Sequence, residues 1–189
     1  ELGCLAVQFP KIQTDQTPAG DGVIVTVTVE EGAAYHLRKV NLSAGDFEIS
    51  DLMKAAQFPV GKIANWKQIT ESVANMEKLF TGNGYIGVAS KLHRNLDDTA
   101  HNLILDIRVE SGKQSYFGSL ILQGLEPSFE GRARSLWKLE RGLPMDLLYL
   151  EDYKRKVFDE RAAGSRKTVT QELKPRPGTD LVDVILTFR

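Results

Sequence analysis

The sequence predicts an α+β protein made of tandem β-α-α-β-β modules, each with a three-stranded sheet and two helices packed on one face. Three observations support this prediction. The chain matches itself at a shift of about 80 residues, as expected for a repeated module. Segments with period-two alternation of apolar residues, typical of half-buried strands, open and close each repeat. Between them lie two segments whose apolar residues recur every three or four positions, as on the buried face of a helix.

The internal repeat is visible in matched positions. A strand and the Glu and Gly that follow it recur after 80 residues: Val25, Val27, Val29, Glu30 and Gly32 match Leu105, Ile107, Val109, Glu110 and Gly112. Helical positions recur after 81 residues: Gly61, Asn65, Trp66, Ile69 and Met76 match Gly142, Asp146, Leu147, Leu150 and Val157. Gly84 recurs as Gly164, and residues 103–109 recur as residues 182–188. We therefore expect a truncated module at residues 1–32 and complete modules at residues 33–111 and 112–189.

The first complete module shows each element in turn. Residues 35–42 alternate as a strand, and residues 50–57 form a short helix that Pro59 ends. A second helix starts at Asn65, a good N-cap with Gln68 three positions later, and its apolar stripe runs to Phe80. After the helix-ending Gly82-Asn83-Gly84, residues 85–93 and 102–109 are predicted strands. The last strand is the most apolar, so we expect it to be central.

The second complete module repeats this order. Its strand is predicted at residues 116–123, its helices at 127–139 and 146–162, and its hairpin arms at 167–173 and 181–188. The arms are joined through Pro175-Arg176-Pro177-Gly178, which enforces a bend. Residues 1–32 match only such a closing hairpin, and a lone hairpin is marginally stable in water. We therefore expect that the chain was cut from a longer protein.

Composition excludes several classes of protein. The chain has 189 residues, of which 42% are hydrophobic and 26% charged, near the averages for globular domains. Its net charge of −1 divides unevenly, with 10 Lys and Arg against 14 Asp and Glu in residues 1–110 and 14 against 11 afterwards. The basic excess of the second module would suit contact with an anionic membrane surface, although a solvated helix face is the better explanation. Because no basic stripe is interleaved with aromatic residues, nucleic-acid binding is not expected.

Nothing in the sequence favours an enzyme. The histidines His36, His93 and His101 do not follow metal-ligand spacing, although a turn with Asp97-Asp98 separates the last two. Cys4 has no His or Asp partner in its own partial module. P-loop, GxGxxG and nucleophile-elbow motifs are absent from the sequence. We expect no catalytic residue, no metal, no cofactor and no small-molecule substrate.

The order of these motifs resembles the POTRA (polypeptide-transport-associated) domain of BamA-like outer-membrane assembly proteins. The residues that carry the resemblance in the first complete module are Tyr35, Val40, Gly45, Gly61, Gly84-Tyr85 and Val109-Glu110-Ser111-Gly112. In the second they are the run from Tyr116 to Gly124, then Gly142 and Gly164. The pattern departs from the family where Gly164 precedes Ser165, and Gly3 precedes Cys4, in place of tyrosine.

The resemblance implies a place and a task. POTRA repeats precede an outer-membrane β-barrel and lie in the periplasm, where they hold unfolded outer-membrane clients or accessory subunits without covalent chemistry. It therefore implies a periplasmic arm of an assembly or translocation factor. The alternative is a semi-rigid structural spacer, as in a two-partner secretion transporter, with no direct client binding.

Strand edges are the candidate binding sites. The edge of a sheet presents unpaired backbone donors and acceptors, to which an extended client can add a strand. We expect this at the outer hairpin strands, with Ile86, Val88, Ser90 and Leu92 in the first module and Thr168, Thr170 and Glu172 in the second. We expect Gly84 to serve the left-handed end of the helix, and Trp66 and Trp137 to be core residues.

Overall fold

The structure is a computed structural model that describes residues 3–45, 47–161 and 168–189. These residues form eight strands and four helices. The strands are β1 (Gln8–Gln16), β2 (Val23–Glu30), β3 (His36–Ser43), β4 (Ala89–Asp97), β5 (Asn102–Glu110), β6 (Tyr116–Gln123), β7 (Val169–Pro175) and β8 (Leu181–Phe188). The helices are α1 (Ile49–Ala56), α2 (Trp66–Gly82), α3 (Pro127–Leu136) and α4 (Leu147–Arg161).

The strands form a two-stranded sheet and two three-stranded sheets. The orders are β1-β2, β3-β5-β4 and β6-β8-β7, so the last strand of each complete module is central. In both larger sheets the first strand pairs in parallel with the central one. This topology confirms the α+β class and the central position of the most apolar strand.

The core of the second module lies between its two helices and one face of its sheet. Val182, Val184, Leu186 and Phe188 on β8 are at most 3% exposed, because alternate side chains of a strand point to the same face. Helix side chains from Ala133 on α3 and from α4 complete the cluster, the latter being Leu150, Tyr153 and Val157. The spacing of three or four along α4 is therefore the stripe that the sequence predicted.

The first complete module buries the equivalent positions. Leu103, Leu105, Ile107 and Val109 on β5 are at most 7% exposed. On the helices the buried positions are Leu52, Ala56, Ile69, Val73, Met76 and Phe80. Trp66 begins the predicted stripe but is only half-buried, with the Arg94 guanidinium 5.2 Å from the centre of its ring.

Residues are grouped into two compact units that interleave along the chain. The first unit comprises residues 1–43, 48–74 and 91–108, and the second comprises residues 44–47, 75–90 and 109–189. The second half of α2 and the turn after it therefore group with the residues of the second module. Each helix within the described ranges is too short or too polar to span a bilayer.

Both long helices start with the same side-chain cap. The Asn65 carboxamide oxygen accepts a hydrogen bond from Gln68 N–H at 3.3 Å, and the Asp146 carboxylate accepts one from Tyr149 N–H at 2.9 Å. These bonds satisfy N–H groups that have no partner inside a helix. Asp146, which matches Asn65 in the sequence repeat, therefore caps its helix in the same way.

Several predicted boundaries differ from the structure. The helix predicted to end at residue 139 ends at Leu136, because the Trp137 ring packs between Phe117 and Tyr153 and takes its backbone out of the helix. The strand predicted at residues 85–93 lies at Ala89–Asp97, and residues 86–87 form a turn. The expected end of α4 at Ala162, together with Gly164, Ser165 and Lys167, lies outside the described residues.

Candidate functional site

The first strand of each larger sheet has an outer edge that the chain itself covers. Leu37 donates its N–H to Lys62 O at 2.9 Å and accepts from Gly61 N–H at 2.8 Å. Phe117 makes the matching pair with Leu143 O and Gly142 N–H, both at 2.8 Å. An added strand therefore cannot reach the start of β3 or of β6.

A β-bulge further disrupts the same two strands. The register of β3 on β5 shifts between Leu37 and Lys39, and that of β6 on β8 shifts between Phe117 and Leu120. Each shift inserts one extra residue, and the two bulges lie at equivalent positions of the repeat. Bulges twist an edge away from regular pairing. By contrast, β7 pairs with β8 without a register shift, and β4 is the other edge strand of its sheet.

The hydrogen-bond pattern of β7 shows which of its backbone groups point outward. Thr168 and Arg189 exchange both backbone hydrogen bonds at 3.0 Å, and Arg176 N–H donates to Leu181 O at 2.9 Å. In an antiparallel pair such bonded residues alternate with non-bonded ones. With the register of β7 on β8, Thr170 and Glu172 point their N–H and C=O groups at β8. The outward groups therefore belong to Val169, Gln171 and Leu173.

Two recesses lie at the two ends of the β7 edge. One, of about 300 Å³, lies between α4 and the start of β7 and is lined by Glu151, Lys154, Arg155, Phe158 and Val169. The other, of about 320 Å³, lies at the far end, where Leu173 and Pro175 meet Ile86 and Gly87. Because Val169 and Leu173 pack against the core, both recesses lie on the helix-covered side of the sheet. A strand added to β7 would place alternate side chains near each of them.

The structure distributes the predicted edge residues unevenly. Ser90 and Leu92 lie on β4, and Thr170 and Glu172 lie on β7, which are both edge strands. Thr168 immediately precedes β7, and its backbone is bonded to Arg189. Ile86 lies in a turn and packs against the core of the second module, while Val88 precedes β4, so neither belongs to a strand edge.

The outward backbone positions of β7 are Val169, Gln171 and Leu173, which the sequence analysis did not select. A signal was present, because Val169 and Leu173 are the apolar members of an alternating strand. Their outward backbone, however, follows from the register of the hairpin, and register depends on the geometry of the 175–181 turn. The sequence-based prediction identified this strand but selected Thr168, Thr170 and Glu172, whose backbone groups point toward the neighbouring strand.

The turn at the end of this hairpin is fastened to the sheet by a charged cluster. Arg176 donates to Asp183 at 2.8–2.9 Å through Nε and to Ser119 Oγ at 3.1 Å. Ser119 Oγ donates to the same carboxylate at 2.7 Å. Hydrogen bonding to Arg176, supported by Ser119, lowers the pKa of Asp183, so the carboxylate stays ionised. The cluster ties the turn to β8 and to the bulge of β6.

Solved structures of known proteins share this fold. No protein-family model matches the chain. A solved structure of the BamA POTRA3-5 segment from Haemophilus influenzae matches all of the chain and 74% of its own length, with a TM-score of 0.74 and 20% identity. BamA from Haemophilus ducreyi lacking POTRA domains 1–3 matches 82% of the chain with a TM-score of 0.69 and 16% identity, over 29% of its own length. The chain has the POTRA fold.

The POTRA signature Gly84-Tyr85 has a larger role than ending a helix. Gly84 has a φ of +87°, as expected at a left-handed helix end. Tyr85 packs with the rings of Phe47 and Phe80 and forms an isolated antiparallel bridge with Gln114. Two consecutive residues therefore take part in contacts beyond the end of α2.

Three basic residues of α3 and α4 form ion pairs within their own helices. Arg134 contacts Glu130 at 2.8 Å, Lys154 contacts Glu151 at 2.6 Å, and Arg155 contacts Asp152 at 2.7 Å. Each pair joins residues one helical turn apart, the arrangement expected of a solvated helix face. The charges that suggested an anionic surface are thus partly neutralised within their own helices.

The histidines lie apart from any metal-binding arrangement. Within residues 3–45, 47–161 and 168–189, no group of three or more His, Cys, Asp or Glu side chains is placed to hold a metal ion. His101 has a φ of +49° and lies edge-on to Tyr35, with ring centres 5.9 Å apart. Cys4 is a half-buried thiol whose backbone bridges to Ala34.

Proposed function

We propose that this chain is part of the periplasmic arm of an outer-membrane protein assembly or translocation factor. On this proposal the arm holds extended segments of unfolded outer-membrane clients, or of periplasmic accessory subunits, by strand addition. The observation that carries the proposal is the edge of β7, which presents three outward backbone positions between two recesses. The POTRA fold and its place beside an outer-membrane barrel in this family support it.

Strand addition suits a carrier of varied clients. Affinity comes from main-chain hydrogen bonds, which every sequence can make, and side-chain recesses add selectivity. A client residue opposite Val169, Gln171 or Leu173 would share their face of the sheet. It would therefore point toward the helix-covered side, where Phe158 and Val169 line one recess and Leu173 and Pro175 line the other. Client residues opposite Thr170 and Glu172 would face solvent.

The β7 edge therefore favours an extended segment with alternating character. Apolar side chains fit the positions nearest the two recesses, and polar side chains fit the solvent-facing positions between them. The exposed edge of β4, with Ser90 and Leu92, is a second candidate for the same kind of contact. Membrane contact through the basic face is not part of the proposal, because the ion pairs on α3 and α4 partly neutralise it.

A proline substitution at Gln171 tests the proposal. Proline there removes an outward N–H, whereas proline at Thr170 removes an N–H that is bonded to β8. Gln171→Pro should leave the protein folded and weaken binding of an alternating apolar–polar peptide about tenfold, through lost main-chain bonds and the clash of the ring with the added strand. Gln171→Ala, which removes only the side chain, should bind almost normally.

Fluorescence anisotropy would measure peptide affinity, and circular dichroism would confirm folding. Backbone amide shifts on peptide addition should be largest at Val169, Gln171 and Leu173. A folded Gln171→Pro protein with unchanged affinity would refute strand addition at β7. A wild-type chain that binds no extended peptide would favour the spacer alternative instead.

We also propose that the chain contains the closing hairpin of one POTRA module, at residues 1–32, and two complete modules, at residues 33–111 and 112–189. Support comes from the exposed face of β1-β2. Val23, Val25, Val27 and Val29 are 43–65% exposed, whereas their repeat equivalents on β5 are at most 7% exposed. In the proposed arrangement, a strand and two helices of the same module cover this apolar face.

A further inference from the structure

A hydrogen-bonded clasp occurs at equivalent positions of the repeat. In the second unit, Gly84 O accepts from Ser115 N–H at 2.8 Å, and Ser115 O accepts from Met145 N–H at 2.9 Å. In the first unit, Gly3 O accepts from Tyr35 N–H at 2.9 Å, and Tyr35 O accepts from Ala64 N–H at 2.8 Å. The same two backbone hydrogen bonds among three residues therefore occur in both units, although two of the three residues differ in type. We call this arrangement the clasp.

The residue after each glycine extends the clasp. Cys4 forms an isolated antiparallel bridge with Ala34, and Tyr85 forms one with Gln114. The Gln114 side chain adds a bond from Nε2 to Asn83 O at 2.8 Å and accepts one from the Tyr116 hydroxyl at 2.8 Å. The contact therefore joins a Gly-X turn to the residues that open the following strand.

Close approach explains why the first residue of the turn is glycine. A Cβ on Gly84 would lie 2.4 Å from Ser115 O and 3.1 Å from Met145 N, both backbone atoms of the clasp. A Cβ on Gly3 would lie 2.6 Å from a methyl group of Ile63 and 3.1 Å from Tyr35 O. A left-handed conformation alone would tolerate Asn or Asp, whereas the backbone oxygen 2.4 Å away excludes any side chain at Gly84. At Gly3 the shortest contact is to a side-chain methyl group, which can shift.

We propose that the opening residues of each POTRA module, here Ala34-Tyr35 with Ala64 and Gln114-Ser115 with Met145, are a docking surface for the Gly-X turn of the module before it. The partner is defined by its chemistry. It is a glycine with a left-handed backbone and no side chain, placed directly after the second helix of a module of the same kind. This proposal rests on the division into modules and not on client binding.

The clasp also decides which strand edges are accessible. Ser115 and Tyr35 lie where an added strand would otherwise reach the first strand of a sheet, and the clasp occupies their N–H and C=O groups. Together with the hydrogen bonds to Leu37 and Phe117, the clasp covers this edge from residue 35 to residue 37 and from residue 115 to residue 117. Opening the clasp would therefore expose a new edge as well as loosen the segment around Lys113.

Three glycine-to-alanine substitutions distinguish the loss of the clasp from the backbone strain that an added methyl group causes. Gly84→Ala introduces the collision and the backbone strain together. Gly142→Ala introduces the strain alone, because Gly142 has the same φ of +87° and no atom within 4 Å of its ideal Cβ. Gly87→Ala introduces neither, since Gly87 also has open space and its φ lies outside the left-handed range.

Hydrogen exchange at the Ser115 amide and trypsin cleavage after Lys113 measure clasp opening directly. Gly84→Ala should speed both about tenfold relative to Gly142→Ala, while the amide of Val184 in the core keeps its protection. Gly87→Ala should match the wild type. If Gly84→Ala and Gly142→Ala give equal exchange at Ser115, the docking role of Gly84 is wrong.

A second variant keeps the proposal testable if Gly84→Ala does not fold. Gly3→Ala meets a movable methyl group of Ile63 in place of a backbone oxygen at the shortest distance, so it should be milder. It should speed exchange of the Tyr35 amide, the donor to Gly3 O, and leave the Ser115 amide unchanged. Unchanged exchange at Tyr35 in a folded Gly3→Ala protein would overturn the proposal.

Discussion

Ser90 shows how one side chain on a candidate edge strand can carry a cost. Its hydroxyl is buried and has no hydrogen-bond partner among the described residues. A buried polar group without a partner loses its bonds to water on folding and gains none in return. The chain therefore carries a local penalty in β4, one of the two edge strands proposed to bind clients.

Replacing Ser90 with Ala should raise the free energy of unfolding by about 1 kcal/mol, because the unsatisfied hydroxyl is removed. Ser119→Ala is the matched control, since that strand serine bonds to both Asp183 and Arg176. It should lower the free energy of unfolding by about 1 kcal/mol. Urea denaturation of the two variants measures the difference, and a loss of stability in Ser90→Ala would show that its hydroxyl has a partner.

Asp183 gives stability a defined dependence on pH. Its pKa is lowered in the folded protein by the bond to Arg176, so its contribution is present above the ordinary aspartate pKa of about 3.9 and is lost as pH falls through the lower folded value. Asp183→Asn should therefore cost about 1 kcal/mol at pH 7 and progressively less below about pH 4. Thermal melts from pH 7 to pH 2 measure this.

The control for this effect is Asp152, whose partner Arg155 is 69% exposed. Asp152→Asn should change stability by only a few tenths of a kcal/mol, about the size measured for exposed pairs within a helix. A pH-independent loss of stability in Asp183→Asn would assign the effect to packing and not to the charge.

At the scale of elements, two glycines should respond to alanine with opposite signs. Gly118 lies in the bulge of β6, where a Cβ would be 2.6 Å from Asp183 Oδ1 and 3.1 Å from Val182 O. Gly131 lies inside α3 with no atom within 4 Å of its ideal Cβ. Gly118→Ala should destabilise the protein by about 2 kcal/mol, and Gly131→Ala should stabilise it by about 0.8 kcal/mol.

Denaturant midpoints of both variants measure this contrast. If Gly118→Ala were neutral, the Arg176–Asp183–Ser119 cluster would not depend on the close approach of β6 to β8.

The type and order of the elements were predictable from the sequence, because period-two and three-to-four-residue spacing are local properties of the chain. The early end of α3 was not, since it depends on Trp137 packing against rings from β6 and α4.

At the scale of the whole molecule, the β1-β2 hairpin is far more exposed than the strands that match it in the sequence repeat. Val25 is 57% exposed, whereas its repeat equivalent on β5, Leu105, and the corresponding Val184 on β8 are fully buried. In this chain Val25→Thr should cost less than about 0.5 kcal/mol, and Val184→Thr should cost about 2 kcal/mol by burying a hydroxyl.

The proposed assignment of residues 1–32 to a closing hairpin leads to a further prediction. If residues 1–32 are a closing hairpin, Val25→Thr should become as costly as Val184→Thr in a form extended by the strand and two helices of that module. Equal small costs in both forms would show that no helical layer covers this face, and would refute the assignment of residues 1–32 to a closing hairpin. Thermal denaturation of the two forms, each with and without the substitution, supplies the four values needed.

The sequence by itself determined the repeat, the β-α-α-β-β order and the central position of the most apolar strand. These depend on apolar spacing and helix caps, which are written in contiguous residues. Only the tertiary structure decided that Gln171, and not Thr170, points its backbone outward, and that Gly84 meets Ser115. Both depend on register and on approach between segments distant in sequence, since a shift of one residue in pairing reverses every backbone and side-chain direction of a strand.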